Sequence, residues 1–348
     1  MQALVLVGGE GTRLRPLTLT QPKPAVPLVD RPSIRYMVDW LGRHGVTEVI
    51  MACGFRADDL RVALGDAIRG GPSIRYVQED EPLGTAGPLR LAADQGLLGD
   101  RFMVLNGDVL TDLDLTALQR QHAETGALVT LALYPVDDPS SYGLVRRARS
   151  GEVLGFLEKP GTDEIDTDEI SAGAYVVEPR VLELIPPGRA VSIEREVFPR
   201  LVGQGLYGRR LEGYWMDIGT PERYLQASWD ILEGAVETEH QGSGPYVGAG
   251  AYVAEDATVT PRAVIRGGSL IGAGAAIADS VLLDGCRIGV RASVRGSILA
   301  PEVEIGDRAT VADGAVIGRA ARIEPGVELP ADARVQPDEV VDAGVKTA

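Results

Sequence analysis

Residues 8–24, GGEGTRLRPLTLTQPKP, set two cations, Arg13 and Lys23, around a glycine-rich turn that follows an apolar run from Ala3 to Val7. Glycines at the end of a buried strand let backbone N–H groups approach an anion closely, because no side chain stands in the way. Arg13 offers a planar fork and Lys23 a point charge, and both neutralise phosphate. The stretch reads as a site for a nucleoside triphosphate, with Leu6, Gly8, Gly9, Gly11 and Thr12 as the residues nearest the nucleotide. Two other phosphate loops do not fit. A P-loop needs Gly-Lys followed by Ser or Thr, which occurs nowhere, and the dinucleotide fingerprint needs a third small residue where Leu14 stands. Pro16, Pro22, Pro24 and Pro27 stiffen the segment, so Lys23 is held.

Two carboxylates stand at strand ends. Asp108 closes Leu105-Asn106-Gly107-Asp108, and Asp217 lies in Gly213–Pro221, between an apolar strand and a helix start at Pro221. A carboxylate at either place suits a metal ion or, equally, an Asx turn or a helix cap. Asp112 and Asp114 read as caps for a helix at Leu115–His122.

The elements that must position these groups alternate. Ala3–Val7, Glu48–Cys53, Ser73–Val77 and Arg101–Leu105 read as strands. Between them, Ile34, Met37, Val38 and Leu41 repeat at helical spacing, and Leu89–Ala93 is a second helical pattern. This order predicts an α/β, Rossmann-like, mixed and mostly parallel sheet with helices on both faces, its ligands bound beyond the carboxyl ends of the strands. After residue 232 the character changes. Residues 233–245 read as a linker, and then Val247, Val253, Val259, Ile265, Ile271 and Ile277 recur every six residues. Ile288 and Val294 resume the rhythm after a slip of one residue, and Ile305, Val311, Ile317, Ile323, Leu329 and Val335 keep it. A period of six fits a β-helix of hexapeptide repeats in which stacked rungs bury a continuous aliphatic core. The expected division is therefore 1–232, linker 233–245, repeats 246–337 and tail 338–348.

The chain has 348 residues, room for two domains. Its net charge of −16 argues against a nucleic acid partner. Cys53 and Cys286 have no Cys or His cluster around them, which fits buried thiols in a reducing, cytoplasmic compartment. The N-terminal apolar run is short and lacks a basic flank, so it reads as a first strand and not as a signal peptide, and no stretch is long enough to span a membrane.

GGEGTRLRPLT followed by PKP resembles the sugar-1-phosphate nucleotidyltransferases, the nucleotide-sugar pyrophosphorylases, and the resemblance covers nearly the whole chain. Leu6-Val7-Gly8-Gly9, Ser192–Pro199 and Tyr214-Trp215-Met216-Asp217 bring it nearest to the mannose-1-phosphate guanylyltransferases. The resemblance implies attack by a sugar 1-phosphate oxygen on the α-phosphorus of the triphosphate, with pyrophosphate leaving and no protein base required. It makes Arg13, Lys23 and Lys159 catalytic and Asp108 and Asp217 the ligands of Mg²⁺. It places Asn106 and Gly107 with the nucleotide, and lays Glu79, Glu81, Gly84 and Thr85, within EPLGTAG and its approach, along the base. Guanine presents two donors on one edge, which a carboxylate at Glu79 or Glu81 can accept. Glu158 is implied to meet sugar hydroxyls and Lys159 the sugar phosphate, with Gly143, Ser171, Ala172 and Gly173 around the sugar. Ser171 departs from the family's Asn at that position.

The left-handed coil of the repeats is likewise implied by the resemblance. Hexapeptide acyltransferases use a histidine, and His44, His122 and His240 all lie outside the repeats, so these are expected to serve assembly as a homo-oligomer. GTP with mannose 1-phosphate is the favoured substrate pair. Glucose 1-phosphate with UTP or dTTP is the alternative within the reaction class, and a non-catalytic regulatory subunit that binds a nucleotide-sugar is the alternative outside it.

Overall fold

A computed structural model describes residues 1–54, 56–65, 70–240 and 242–342. The chain forms two compact units, Met1–Gly9 with Met37–Trp215, and Glu10–Tyr36 with Met216–Ala348. These units cut across the sequence order, because residues 10–36 and the helix Pro221–Glu233 cluster with the repeats.

The first unit is built on a nine-stranded sheet. Ser73–Gln78, Glu48–Cys53, Gln2–Leu6 and Phe102–Asn106 lie side by side and parallel. Leu4, Ile50 and Val104 are fully buried within them, and such strands read as unbroken apolar runs because both sheet faces are covered. Beyond Phe102–Asn106 the sheet turns mixed. Glu169–Val177 pairs antiparallel with it and leads to Gly143–Arg147 and Val153–Glu158. Val129–Pro135 also pairs antiparallel with Glu169–Val177, and parallel with Leu206–Arg210. Asp114 caps the helix Leu115–Thr125, its carboxylate accepting from the Ala117 N–H at 3.0 Å. Asp112 does not cap it, and instead accepts from the Tyr214 N–H at 2.6 Å, stapling that strand end.

In the second unit the repeats form three parallel sheets of six, six and five very short strands, the three sides of a β-helix. From Val264–Ile265 onward the second residue of each strand is buried, Ile265, Ile271, Ile277, Ile288, Val294, Ile305 and Val335 among them, whereas in the first coil, which has a neighbouring rung on one side only, Val247 is 48% exposed and Val253 and Val259 are half-buried. The rhythm slips twice. Ile277 to Leu282 and Val294 to Leu299 are steps of five, and Leu282 and Leu299 fill the inward positions that the count by six passes over. At the corner of each short step a serine replaces the missing residue's hydrogen bonds: Ser280 Oγ donates to Ala278 O at 2.7 Å and accepts from the Ser297 N–H at 3.1 Å. The last rung is Val340–Val341, paired with Arg322–Ile323, so the coil runs past residue 337.

Candidate active site

In the first unit the candidates gather where parallel strands end. Gly8 follows Gln2–Leu6, Glu79 follows Ser73–Gln78, and Asn106-Gly107-Asp108 follows Phe102–Asn106. A Cβ on Gly8 would stand 3.3 Å from both Glu79 Oε1 and the Gly54 nitrogen, so the two strand ends meet closely there. Glu79 Oε2 accepts from the Leu83 N–H at 2.7 Å, and burial pushes its carboxyl above the usual range although that N–H works against the rise. Glu81, two residues on, is exposed. Of the two acids read against the base, Glu79 is the one fixed in place.

Gly84 has φ +73°, and a Cβ there would lie 2.5 Å from the Val191 carbonyl oxygen. The turn is zipped to Val191, whose N–H donates to Leu83 O and whose carbonyl accepts from the Ala86 N–H, both at 2.9 Å. Thr85 Oγ1 accepts from the Ile193 N–H at 2.8 Å and donates to Glu194 Oε2 at 2.6 Å, so its hydroxyl proton is committed to the protein. Sequence reasoning assigned no role to Glu194. It lies in Ser192–Pro199, which the sequence reading noted only as a segment resembling the guanylyltransferases, and Thr85 and Ser192 hold its carboxylate.

The sugar-side candidates converge by register. Gly143 pairs directly with Glu158, and a Cβ on Gly143 would stand 3.0 Å from Glu158 Oε2 and 2.6 Å from Phe156 Cζ. Burial first, and the Glu194 charge second, hold the Glu158 carboxyl above its ordinary value. Lys159 adopts φ +53°, a left-handed conformation unfavourable for a side-chain-bearing residue, and its N–H donates to Tyr142 O at 2.9 Å. Glu169–Val177 bulges between Ser171 and Tyr175, which turns Ala172-Gly173 out of the ladder. Gly173, at φ +71°, backs onto Asn106, whose Nδ2 lies 2.8 Å from where a Cβ would be. Trp215 Nε1 donates to Ala172 O at 2.9 Å, and its ring sits against Tyr134 and Tyr142 with centroids 5.6 and 5.5 Å apart. Gly107 has no room for a side chain, since a Cβ would meet Leu6 O at 2.8 Å.

In the second unit the turn after Glu10 winds through three single 3₁₀ turns, Thr12–Leu14, Leu17–Leu19 and Lys23–Ala25. Gly11 has φ +64°, and its carbonyl accepts from Thr18 Oγ1 at 2.8 Å, while Lys23 Cβ would be 3.0 Å from a Cβ at Gly11. Gly9 lies at the open end of the first unit's strand, with nothing within 4 Å of its missing Cβ. Arg13, Asp217 and Gly219 converge. Arg13 Nη2 and Asp217 Oδ1 lie 2.5 and 2.7 Å from the place a Cβ on Gly219 would take. Asp217 Oδ2 is paired with Arg223 Nη1 at 3.0 Å, and the carboxylate is only 16% exposed. Arg223, one turn into the helix that Thr220 caps, also escaped the sequence reading. Its position six residues after Asp217 gives no periodic signal across a strand-to-helix turn.

Asp108 and Asp217 are hard oxygen donors of the kind a small divalent cation takes one or two of, completing its shell with phosphate and water. No cluster of three or more His, Cys, Asp or Glu residues able to hold a metal occurs among the described residues.

Comparison with known proteins accords with this inventory. A family model described as nucleotidyl transferase matches residues 2–234, and one described as GMPPB C-terminal domain matches residues 243–347. A Mycobacterium tuberculosis protein named mannose-1-phosphate guanylyltransferase is 39% identical over 292 residues, covering 82% of this chain and 79% of its own length. Proteins named mannose-1-phosphate guanyltransferase from Candida albicans and Schizosaccharomyces pombe are 43% and 44% identical, over 66% and 65% of this chain. Those matches span 64% and 62% of the fungal proteins. With its first two thirds matched end to end and its strand-end carboxylates, glycines and cations in place, the chain belongs to the nucleotidyl transferase family.

Proposed function

We propose that this chain transfers GMP from GTP to mannose 1-phosphate, giving GDP-mannose and pyrophosphate. The observation that carries the choice of substrates is the mycobacterial guanylyltransferase, which aligns with four fifths of the chain at 39% identity. The reaction needs positioning and charge neutralisation more than proton transfer, since the attacking phosphate oxygen is already an anion. Arg13 and Lys23 balance the triphosphate, and Lys159, held by its strained backbone, balances the sugar phosphate. Asp108 and Asp217 would hold Mg²⁺, which would supply positive charge to offset the repulsion between the reacting phosphates. The Arg13–Asp217–Gly219 cluster supports this reading, because it sets a cation and a carboxylate against one side-chain-free spot.

Leu6, Gly8, Gly9, Gly11, Thr12, Gly84, Thr85, Asn106 and Gly107 form the nucleotide's surroundings, and Glu79 accepts the two guanine donors. Glu158, Gly143, Ser171, Ala172 and Gly173 form the sugar's surroundings. Residues 1–232 carry the catalysis, and the repeats, joined to them by 233–245, begin at 246 and run through Val340–Val341. No helix among the described residues is long and apolar enough to cross a membrane. Cys53 and Cys286 are both free and buried, which accords with a chain that uses no disulfide framework, and we place the reaction in the cytoplasm.

Pyrophosphate release with Mg²⁺, mannose 1-phosphate and each of the four common nucleoside triphosphates tests the reading. Turnover confined to GTP is expected. Preference for UTP or dTTP with glucose 1-phosphate would overturn the substrates, and nucleotide-sugar binding without any turnover would overturn the enzyme.

A further inference from the structure

The turn Ser192–Pro199 is fastened to the Gly84-Thr85 loop on one side and to the sugar-side strands on the other. Ile193, Val197 and Phe198 are fully buried and pin it to the core. The Phe198 N–H donates to Ile193 O, five residues back, so the turn is wider than an α-helical one, a form common where a chain serves a site. It packs against Val153–Glu158, where the Phe156 and Phe198 rings meet edge to face with centroids 5.3 Å apart.

Glu194 stands on this turn with its two oxygens unequally used. Oε2 accepts from both Thr85 Oγ1, at 2.6 Å, and Ser192 Oγ, at 3.0 Å. Oε1 accepts from no described residue, and no described cation lies within 4 Å of the carboxylate. Its charge reaches Glu158, where, after burial, it helps hold that carboxyl up. Burial first and Glu194 second also raise the phenol of Tyr175, with Glu158 adding to the effect, so the two acids border one buried ring. The strand register adds a third group. Gly143 pairs with Glu158, and one residue beyond the Ile170–Leu144 pair Ser171 comes opposite Gly143. Residues opposite one another across a ladder share a face, so Ser171 and Glu158 look out from the same face, two strands or about 10 Å apart. Ser171 Oγ is buried and has no hydrogen-bond partner. A buried hydroxyl left so is rare in a folded chain and marks a place for a partner.

A ligand that meets these three groups must bring hydroxyls and no negative charge. A carboxylate only accepts, a serine hydroxyl gives or takes, and a phosphate set here would face two like charges. Resting on the reading of the chain as a hexose 1-phosphate guanylyltransferase, we propose that Glu194 is a specificity-determining residue of the sugar pocket, its Oε1 accepting one hydroxyl of the hexose while Glu158 accepts another. The two acids turn the hydroxyl-bearing side of the sugar toward the Ser192–Pro199 turn and its phosphate away from it. Thr85 takes part at one remove. The hydroxyl that closes the Gly84-Thr85 loop onto the turn also fixes which oxygen of Glu194 stays open.

Crossing the residue against the sugar's hydroxyls tests this. The parent, Glu194→Ala and Glu194→Gln are each assayed with GTP and with mannose 1-phosphate or its 2-, 3-, 4- and 6-deoxy analogues. Glutamine keeps an acceptor for Thr85 and Ser192 and puts an amide that cannot accept in the place of Oε1, so E194Q isolates the open oxygen even where E194A loosens the turn. Thermal melting establishes that each variant folds. With mannose 1-phosphate both variants should lose about 10- to 100-fold in kcat/KM. One deoxy analogue should cost the parent a similar factor and cost the variants no more than about twofold, because the contact is already gone. Titration calorimetry reads the same contact without turnover. E194Q should weaken GDP-mannose binding by about 10-fold and leave GDP binding unchanged. A parent that prefers another hexose 1-phosphate overturns the choice of sugar alone, and the cross is then made with that hexose's deoxy analogues. Variants that equal the parent, deoxy analogues that cost parent and variants alike, a rise confined to the KM for GTP, or rescue by raised Mg²⁺ would each overturn the role given to Glu194.

Discussion

Gly219→Ala is a small change with a calculable consequence. Its Cβ would arrive 2.5 Å from Arg13 Nη2 and 2.7 Å from Asp217 Oδ1. Ordinary carbon-to-heteroatom contact is roughly 3.4 Å, so each group must retreat by about 0.7–0.9 Å. The guanidinium ends a flexible chain and can move without dragging the backbone, so the cost falls on position more than on folding. Asp217 has less freedom, because Arg223 holds its other oxygen at 3.0 Å. A misplacement of this order costs about 100-fold in a reaction that depends on alignment. The expected result is a kcat lower by roughly 10- to 100-fold, with a melting temperature reduced by no more than a few degrees, consistent with mild overpacking. Gly155→Ala serves as the control, since its Cβ would meet only Arg146 side-chain carbons at 3.8 and 3.9 Å. Initial rates of pyrophosphate release at saturating substrate and Mg²⁺ give kcat directly. A G219A enzyme within twofold of the parent would refute the placement of Arg13 and Asp217 at the reacting phosphates.

Three further outcomes follow from the same geometry. Gly9→Ala meets no protein atom within 4 Å, so any rise in KM for the triphosphate reports the ligand's own closeness, and stability should not change. Glu79→Gln removes an acceptor able to take both guanine donors and should cut the preference for GTP by about 10-fold, a charge-assisted bond being worth roughly 1.5–3 kcal/mol. The same group gives a pH signature. Its raised pKa means that it gains its proton earlier than an ordinary carboxylate as pH falls, so the GTP preference should weaken on the acid side in the parent and become pH-independent in the variant. Leu299→Ala, at a fully buried site in the second short coil, should destabilise the protein by about 2–5 kcal/mol in calorimetry, where a dispensable position would lose far less.

Much of the fold was legible because its periods are strict. Glu48–Cys53 was read from an apolar run that two covered sheet faces demand, and the edge strand at Ser73 from the shorter pattern in which Ile74 and Val77 face the core. The step of six announced the β-helix. What escaped is non-periodic. Leu282 and Leu299 sit after five-residue corners that work only because Ser280 and Ser297 supply the missing hydrogen bonds, and no local propensity marks that exchange. The antiparallel half of the sheet escaped for a related reason, since Glu169–Val177 joins Phe102–Asn106 across a long stretch of intervening chain. Among the candidate site residues, type and spacing singled out Arg13 and Asp217, and the family resemblance pointed to Glu158 and Gly143. Glu194 and Arg223 could be found only by the neighbours they hold, Thr85 and Asp217. Of Glu79 and Glu81, burial alone tells them apart, and burial depends on the turn that Leu83 and Val191 close.

The segment bearing Arg13 and Lys23 shares a compact unit with the repeats, and Arg266, deep in the coil's second rung, grips the Val29 carbonyl at 2.9 Å. A surgeon's cut at the linker would therefore pass through living tissue. Excising everything after residue 233 would strip the support from residues 10–36 while leaving the sheet's own core whole, and chimeras that exchange the repeats between relatives should carry residues 10–36 with them. Inheritance has reason to treat the two stretches as one trait, so a change at Arg266 or Arg262 is better sought beside a change near Val29 or Glu233 than among its neighbours in the coil.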